Sequence, residues 1–305
     1  MYDIIIIGAG PAGLTSSIYA SRASKKVLVL EALSYGGQII NTLDIENYPV
    51  EPHISGIDFA TKLYNQAKEL GAEIKFEKVL EINDSDDEKE VVTNNGKYNA
   101  KAVIIATGCD NRKLELPNEK ELIGKGVSYC ATCDGHFYKG KKVAVVGGGN
   151  TALEEALYLS DIANTVYLIH RRDEFRGEKK TAELLKEKEN VKFIYNSNVT
   201  KINGEDKLES IEITNKIDDT KSNFFIDGLF IAIGKIPNNE KFSNLLELDE
   251  NGYIVAGENC HTSTPGIFVA GDNRTKEVRQ LVTATGDGAV AAMEAVKYIN
   301  SKNTK

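Results

Sequence analysis

The chain has 305 residues, a length that suggests roughly two domains of about 150 residues each. With 37 Lys and Arg against 45 Asp and Glu, its net charge is −8, which argues against a general binder of nucleic acids or of anionic membranes. Four cysteines are too few for a secreted scaffold held together by disulfides. The apolar run Ile4–Ile7 is too short for a signal-peptide core, and no run approaches the roughly 20 residues of a membrane span. We therefore expect a cytoplasmic protein.

The first element of the chain is an apolar run that leads into a glycine-rich turn, Tyr2–Gly13 (YDIIIIGAGPAG). Helix-forming sequence follows from Leu14 to Ala23, and then a second apolar run, Val27–Leu30. Continuous apolar strands are typical of parallel strands that are buried on both faces. The sequence therefore predicts a strand–turn–helix–strand unit.

The turn contains the pattern Gly8-x-Gly10-x-x-Gly13, which permits a tight turn and close approach of the backbone to a pyrophosphate. Glu31 ends the next strand, near the offset at which a carboxylate binds the free hydroxyls of a ribose. The alternative is an ordinary strand-to-helix turn. The complete context favours a dinucleotide site.

Val79–Ile105 contains three strand-like stretches, and Ala106-Thr107-Gly108 follows the third. We predict a three-stranded meander here. The acidic run Asp84–Glu88 between two of the stretches is interpreted as a solvated hairpin turn rather than a functional patch.

Cys130 and Cys133 are separated by two residues, and Asp134 follows at once. Zinc requires four ligands, and the remaining cysteines, Cys109 and Cys260, have no partner at such a spacing, so we predict no metal site. A c-type haem motif would need His in place of Asp134. A redox dithiol remains, with two buried structural thiols as the alternative. Asp134 could relay a proton to a thiolate.

The first pattern then occurs a second time. Lys142–Ala152 is again an apolar run and a glycine turn, followed by helix-forming sequence at Leu153–Ser160 and an apolar run at Val166–Ile169. A second predicted three-stranded meander, Val199–Ile231, ends in Ala232-Ile233-Gly234. The chain is therefore predicted to contain two related α/β units.

The second glycine pattern, Gly147-x-Gly149-x-x-Ala152, is followed by basic rather than acidic residues. Arg171, Arg172 and Arg176 lie where a ribose-binding acid would otherwise be. Guanidinium groups bind phosphate through paired hydrogen bonds, so this site should prefer NADPH to NADH. A solvated basic helix start is the alternative. FAD together with NADPH would satisfy both dinucleotide sites.

The C-terminal part, with a predicted strand at Gly266–Ala270 and a helix from about Ala284 to Ile299, cannot bury a core alone. Lys235–Asn239 is interpreted as a linker. We therefore predict an α/β protein with two Rossmann-like, three-layer dinucleotide-binding domains, the second inserted into the first. The predicted boundaries are 1–111 with 238–305 for the FAD-binding domain and 112–237 for the NADPH-binding domain that carries the cysteine pair.

Taken together, these motifs resemble the low-molecular-weight, NADPH-dependent thioredoxin reductases of the bacterial type, class II pyridine nucleotide-disulfide oxidoreductases, nearly from end to end. The residues that carry the resemblance are GAGPAG (Gly8–Gly13), GGQI (Gly36–Ile39), ENYP (Glu46–Pro49), ATG (Ala106–Gly108), CATCDG (Cys130–Gly135), GGGNTALEEALYL (Gly147–Leu159), HRRDEFR (His170–Arg176), AIG (Ala232–Gly234), TPGIFVAGD (Thr264–Asp272) and RQ (Arg279–Gln280).

The resemblance implies a homodimer in which electrons pass from NADPH through FAD and a Cys130–Cys133 disulfide to thioredoxin or a thioredoxin-like protein. It implies that Cys133 faces the flavin, that Cys130 attacks the protein substrate and that Asp134 is the acid. It further implies alternation between two domain orientations. Relatives that use ferredoxin or oxygen do not need the arginine segment, and a non-enzymatic dinucleotide-binding module would not need the cysteine pair.

The residues expected to bind FAD are Gly8, Gly10, Pro11, Ala12, Gly13, Glu31, Gly36, Gly37, Gln38, Asn47, Ala106, Thr107, Gly108, Gly271, Asp272, Arg279, Gln280 and Leu281. Those expected to bind NADPH are Gly147, Gly149, Asn150, Thr151, Ala152, His170, Arg171, Arg172, Arg176, Ile233 and Gly234.

Overall fold

A computed structural model describes residues 1–85 and 88–302 of the chain. Asp86 and Asp87, in the middle of the acidic run interpreted as a hairpin turn, lie outside the described residues. The α-helices are α1 (Pro11–Arg22), α2 (Gly56–Glu69), α3 (Ala131–Asp134), α4 (Asn150–Ser160), α5 (Lys179–Lys186) and α6 (Leu281–Lys302). None of these helices combines the length and the apolar character that a membrane span requires.

The strands, in chain order, are β1 (Tyr2–Ile7), β2 (Val27–Glu31), β3 (Glu73–Phe76), β4 (Val79–Asp84), β5 (Lys89–Thr93), β6 (Lys97–Ile105), β7 (Cys109–Asn111), β8 (Val127–Ser128), β9 (Lys142–Val146), β10 (Thr165–Ile169), β11 (Val191–Ile194), β12 (Ser197–Asn203), β13 (Ser210–Asn215), β14 (Lys221–Phe225), β15 (Gly228–Ile231), β16 (Lys235–Pro237) and β17 (Ile267–Val269).

The described residues form two compact units. The first unit comprises residues 1–110 and the described part of 236–305, and the second comprises residues 111–235. At the boundaries lie β7 and β16, which pair with each other. The segment Lys235–Asn239, which we interpreted as a linker, therefore begins as a short strand.

The first unit is built on one sheet with the order β3-β2-β1-β6-β5-β4. Strand β17 lies off this path and pairs with the second half of β6. Strands β1, β2, β3, β6 and β17 are paired in parallel, whereas β4 and β5 are antiparallel. Successive residues of β1 lie in hydrophobic cores on opposite faces of the sheet. Ile4 and Ile6 pack with α1 and α6, and Ile5 and Ile7 pack into the core on the opposite face. Burial on both faces explains why β1 is apolar without alternation.

The second unit repeats this plan in a parallel sheet of order β11-β10-β9-β15-β8. Helix α4 covers one face, where Val143 and Val145 are buried. On the other face, Ala144 and Val146 pack with apolar residues of β12 and β13. The predicted α/β fold with two dinucleotide-binding units is confirmed.

The two meanders differ, although the sequence predicted the same form for both. In the first unit β6 is continuous: its first half pairs antiparallel with β5, and its second half pairs in parallel with β1. In the second unit the corresponding stretch is divided into β14 and β15, so β12-β13-β14 form a separate antiparallel sheet. Asp227 lies at the break, where it accepts a hydrogen bond from the Lys142 N–H (3.0 Å) and donates its own N–H to the Lys142 carbonyl (2.8 Å). These two hydrogen bonds hold Asp227 beside the first residue of β9, so that the next strand, β15, pairs with β9.

Three helices begin earlier than the sequence predicted. Helix α1 begins at Pro11 rather than Leu14, α4 at Asn150 rather than Leu153, and α6 at Leu281 rather than Ala284. In α1 and α4 the residue before the helix is the second glycine of the motif, in extended conformation, and in α1 a proline occupies the first helical position. Proline is favoured there because that position needs no N–H donor.

One buried ion cluster ties α6 to the end of β17. Asp287, on α6, accepts hydrogen bonds from Arg274 Nε and Nη2 (both 2.8 Å), from Lys276 Nζ (2.9 Å) and from the Gly271 N–H (3.0 Å). Arg274 is 2% exposed and Asp287 is 7% exposed. Burial by itself would raise the pKa of Asp287, but the hydrogen bonds from Arg274 and Lys276 bring it below its ordinary value. The cluster therefore stabilises the fold above the ordinary carboxyl range near pH 4, and this contribution is lost as the pH falls through the lowered pKa.

We predict that Asp287→Asn lowers the free energy of unfolding by about 3–5 kcal/mol, because it leaves the buried Arg274 charge uncompensated. The matched control is Glu258→Gln. Glu258 is also within ion-pair distance of Arg274 (3.6 Å), but its side chain is 96% exposed, and such pairs contribute about 0–1 kcal/mol. Urea unfolding at pH 7 measures both variants. Equal, small effects would show that the buried pair does not hold α6 in place.

Candidate functional site

The first glycine turn runs from the end of β1 into α1. Gly8 has φ +109°, and a Cβ at this position would overlap the carbonyl oxygen of Ala106. The Gly8 N–H donates to Leu30 O (2.8 Å), and the Ala106 N–H donates to Ile7 O (2.8 Å). The ends of three adjacent parallel strands are thereby held together. Only glycine allows the turn to lie this close to the Ala106-Thr107-Gly108 segment.

The turn leaves the first amides of α1 open to an anion. The residue before the helix, Gly10, makes no side-chain cap hydrogen bond. Uncapped amides at a helix N-terminus can bind phosphate oxygens. Beside the turn, Glu31 accepts hydrogen bonds from the Ala9 N–H (2.8 Å) and the Leu33 N–H (2.9 Å), which fixes its carboxylate next to the glycines. This donor and acceptor set fits a dinucleotide that has a free ribose diol.

A second glycine pair approaches the same turn. The Gly36 N–H donates to Ala9 O (2.8 Å), and a Cβ on Gly37 would lie only 3.4 Å from the Gly10 Cα. Gln38 follows and donates to Asp110 Oδ1 (2.8 Å). The structure thus brings Gly36 and Gly37 beside the first motif.

The segment after β17 completes this group of residues. Arg279 Nε donates to the Asp272 carbonyl (3.3 Å), and its guanidinium lies 4.2 Å from the centroid of the Tyr253 ring. Asn47 Nδ2 donates to Gln280 Oε1 (3.3 Å). Leu281 is the first residue of α6.

Sequence reasoning missed the polar residues that hold these segments. Asn239 and Asn273 are fully buried, and Asn239 Nδ2 donates to Asn273 O (2.8 Å). Asn273 Nδ2 in turn donates to Thr107 Oγ1 (3.1 Å). The sequence gives little indication that these two asparagines are buried. Asn273 directly follows Gly271-Asp272, and Asn239 ends the segment that we interpreted as a linker.

The second glycine turn reproduces the first. Gly147 has φ +157°, and a Cβ there would overlap the carbonyl oxygen of Ala232. The Gly147 N–H donates to Ile169 O (3.0 Å), and the Ala232 N–H donates to Val146 O (2.8 Å). Gly149 precedes α4 without a side-chain cap, and a Cβ on it would meet open space. The open amides and the free space suit a second nucleotide.

The basic segment that follows β10 contacts this turn through backbone hydrogen bonds. The N–H groups of Arg176 and Gly177 both donate to Gly148 O (2.7 and 3.1 Å), and the Glu178 N–H donates to Asn150 Oδ1 (2.8 Å). Arg171, Arg172 and Arg176 are exposed. The backbone at Arg176 is therefore held against the turn, and the three exposed arginine side chains can be reached by a phosphate.

His170 has a different position from the three arginines. It is 4% exposed, and a Cβ on Gly148 would overlap its imidazole ring. Burial lowers the pKa of His170, and the nearby Arg176 and Arg172 lower it further. The His170 ring therefore packs against Gly148 of the turn, and its lowered pKa favours the neutral form.

The cysteine pair lies in a short turn of the second unit. Cys130 and Cys133 are joined by a disulfide, and their Cα atoms are 5.3 Å apart. Cys130 precedes α3, and Cys133 lies within it. Thr132 Oγ1 lies 3.4 Å from Cys130 Sγ. The structure thus contains the disulfide that the resemblance implied.

Asp134 is the acidic group next to the disulfide. Burial raises the pKa of its carboxyl, and a hydrogen bond from Ser128 Oγ (2.6 Å) opposes this rise. Ser128 Oγ also accepts the Cys130 N–H (3.1 Å). Ser128 therefore links the acid to the backbone of the disulfide, a role that the sequence did not reveal. The combination of a disulfide and a carboxyl with a raised pKa suits proton-coupled thiol chemistry.

Comparison with known proteins agrees with this geometry. Residues 2–288 match the model of the pyridine nucleotide-disulphide oxidoreductase family. The thioredoxin reductase of Listeria innocua is 44% identical over 98% of this chain and 94% of the relative, and that of Bacillus subtilis is 43% identical over 98% and 95%. The crystal structure of thioredoxin reductase from Streptococcus pyogenes is 41% identical, covers 99% of both chains and superimposes with a TM-score of 0.94. The chain belongs to the thioredoxin reductases of the pyridine nucleotide-disulphide oxidoreductase family.

Proposed function

We propose that this chain is an NADPH-dependent disulfide reductase that passes electrons through FAD and the Cys130–Cys133 disulfide to oxidised thioredoxin or a thioredoxin-like protein. The observation that carries the proposal is the disulfide, which lies beside the partly buried Asp134 in a chain with two dinucleotide turns. The names of the relatives support thioredoxin as the class of substrate.

The first unit would hold FAD, with its pyrophosphate at the N-terminus of α1 and its ribose at Glu31. When bound, FAD supplies the hydride and electron chemistry that side chains lack. The predicted FAD residues all belong to the first unit, where the Gly36 N–H donates to Ala9 O and a Cβ on Gly271 would meet the Ala12 side chain. These contacts support the proposed FAD-binding domain.

The second unit would bind NADPH at the turn from β9 into α4. The nucleotide's 2′-phosphate would be held by Arg171, Arg172 and Arg176, because guanidinium groups form paired hydrogen bonds with phosphate. We assign His170 a supporting role beneath Gly148. A reductase that used ferredoxin would have no need for these arginines.

The reduced cysteine pair would then act by thiol–disulfide exchange. The Cys130 thiolate attacks one sulfur of the thioredoxin disulfide, and the other sulfur leaves as a thiolate. Cys133 next attacks the Cys130 sulfur of the mixed disulfide, which releases reduced thioredoxin and re-forms the Cys130–Cys133 disulfide. Two electrons pass to thioredoxin, and Asp134 would supply a proton to a departing thiolate. The homodimer, the cytoplasmic location and the alternation of domain orientations stay predictions.

The direct test of the proposal is NADPH oxidation coupled to reduction of a thioredoxin. We expect Cys130→Ser and Cys133→Ser each to abolish thioredoxin reduction, because neither variant can form the disulfide. Cys260→Ala, which removes a buried thiol of the first unit, serves as the control. Thioredoxin reduction at the wild-type rate by Cys133→Ser would refute the mechanism.

The arginine segment predicts the preference between the two nucleotides. We expect Arg171→Ala combined with Arg172→Ala to raise the KM for NADPH about tenfold or more, since each charge-assisted hydrogen bond contributes about 1.5–3 kcal/mol. The KM for NADH should change little. Steady-state kinetics with both nucleotides measure this, and Lys186→Ala combined with Lys192→Ala controls for loss of exposed positive charge. An unchanged preference would refute the proposed 2′-phosphate site.

The position of Asp134 predicts a pH dependence. An acid must hold its proton, so thioredoxin reduction should decline as the pH rises through the raised pKa of Asp134. Asp134→Asn should lower kcat by about 100-fold and remove this decline. The pH profile of kcat tests both expectations, with Asp161→Asn, an exposed acid at the end of α4, as the control. A variant that kept the parent profile would exclude Asp134 as the acid.

A further inference from the structure

The segment that carries the three arginines is attached to the second unit at both of its ends. At its start, the N–H groups of Asn196 and Ser197 donate to Arg172 O and His170 O respectively (both 3.0 Å). Asn196 lies between β11 and β12, and Ser197 is the first residue of β12. The backbone at Arg172 is therefore held by these strands and not by the glycine turn.

At its other end the segment contacts the glycine turn and the start of α4. Gly148 O accepts the N–H groups of Arg176 and Gly177, and the side chain of Asn150 accepts the next N–H, that of Glu178 (2.8 Å). A Cβ on Gly177 would lie 2.9 Å from Asn150 N. The backbone that follows Arg176 thus lies directly against the N-terminus of α4.

The contact made by Asn150 differs from those at Gly148 because it depends on a side chain. Asn150 is the first residue of α4, and Glu178 directly precedes α5, whose start has no side-chain cap of its own. The Asn150 carboxamide therefore joins the starts of two helices that pack against each other. The N–H that it holds lies two residues beyond Arg176, so this contact restricts where Arg176 can lie.

We infer that Asn150 is a positioning residue for the 2′-phosphate: its carboxamide holds the Arg176 end of the arginine segment against the N-terminus of α4. The inference rests on the proposed NADPH site. An ordered arginine loses less conformational freedom when it binds a phosphate, so holding it in place strengthens binding. Because Arg172 is attached elsewhere, the effect of Asn150 should pass through Arg176. Direct contact between Asn150 and the nucleotide is the alternative.

The test compares the binding of NADP⁺ and NAD⁺ to the purified protein by isothermal titration calorimetry. The two nucleotides differ only in the 2′-phosphate, and neither can reduce the protein. The ratio of the Kd for NAD⁺ to the Kd for NADP⁺ therefore measures the contribution of that phosphate. Asn150→Ala should lower the ratio about two- to tenfold, the range expected for one net hydrogen bond. The Kd for NAD⁺ should stay near the parent value.

The matched control removes another asparagine that binds backbone groups of the same helix region. Asn190 Nδ2 donates to Ser160 O (2.8 Å) and to Ala163 O (3.0 Å), at the opposite end of α4 from the glycine turn. Asn190→Ala should lower the melting temperature but leave the ratio of the two Kd values unchanged. An equal fall of the ratio in both variants would show a general loosening of α4 and would overturn the inference.

Double variants test whether the effect passes through Arg176. Arg176→Ala alone should lower the ratio about tenfold or more, since it removes a charge-assisted contact. Adding Asn150→Ala to Arg176→Ala should lower the ratio no further, whereas adding it to Arg172→Ala should have its full effect. The same effect in both backgrounds would overturn the inference.

Two further outcomes separate this inference from the proposed function. If Asn150→Ala weakens NADP⁺ and NAD⁺ equally, Asn150 acts on the part that the nucleotides share; the inference is then wrong, and the 2′-phosphate site stands. If the parent protein binds both nucleotides with the same Kd, the proposed 2′-phosphate site is itself wrong, and the inference fails with it.

Discussion

The site depends on one steric constraint, which occurs once in each unit. At Gly8 and at Gly147 the backbone of the strand-to-helix turn lies so close to an alanine carbonyl of the neighbouring strand that a Cβ would overlap its oxygen. The neighbouring segments are Ala106-Thr107-Gly108 in the first unit and Ala232-Ile233-Gly234 in the second. Because the contact is made by backbone atoms, it fixes where each helix begins and where its open amides lie. The remaining residues that we propose to bind the nucleotides belong to the same two units as these turns.

The duplicated turn is followed by different side chains in the two units because the next strand ends differently in each. After β2 the chain places the Glu31 carboxylate beside the turn, and after β10 it continues into a segment with three exposed arginines. Under the proposed function, the same backbone would distinguish a free ribose diol from a phosphorylated one through a few side chains. The two units also differ in how the third strand of the meander joins the sheet, although this difference lies away from the turns.

The sequence predicted most of the strands, the two glycine turns, the cysteine pair and the arginine segment because each depends on local chemistry. A run of buried β-branched residues, a glycine at positive φ and two cysteines three positions apart can be read without knowing the rest of the fold. The sequence predicted the starts of three helices three residues too late, and it did not predict the division of β14 from β15. In α1 and α4 the first turn begins within the motif, and in the second meander Asp227 anchors the chain to Lys142 of β9.

The composition, the repeated motifs and the redox pair of this protein were determined by the sequence itself. Only the tertiary structure decided which polar groups become buried and what they contact. Asp287 accepts hydrogen bonds from Arg274 and from the Gly271 N–H, the His170 ring packs against Gly148, and Ser128 Oγ donates to Asp134. The charge and pKa of such groups depend on burial and on neighbours from other elements, so packing rather than local pattern sets their chemistry.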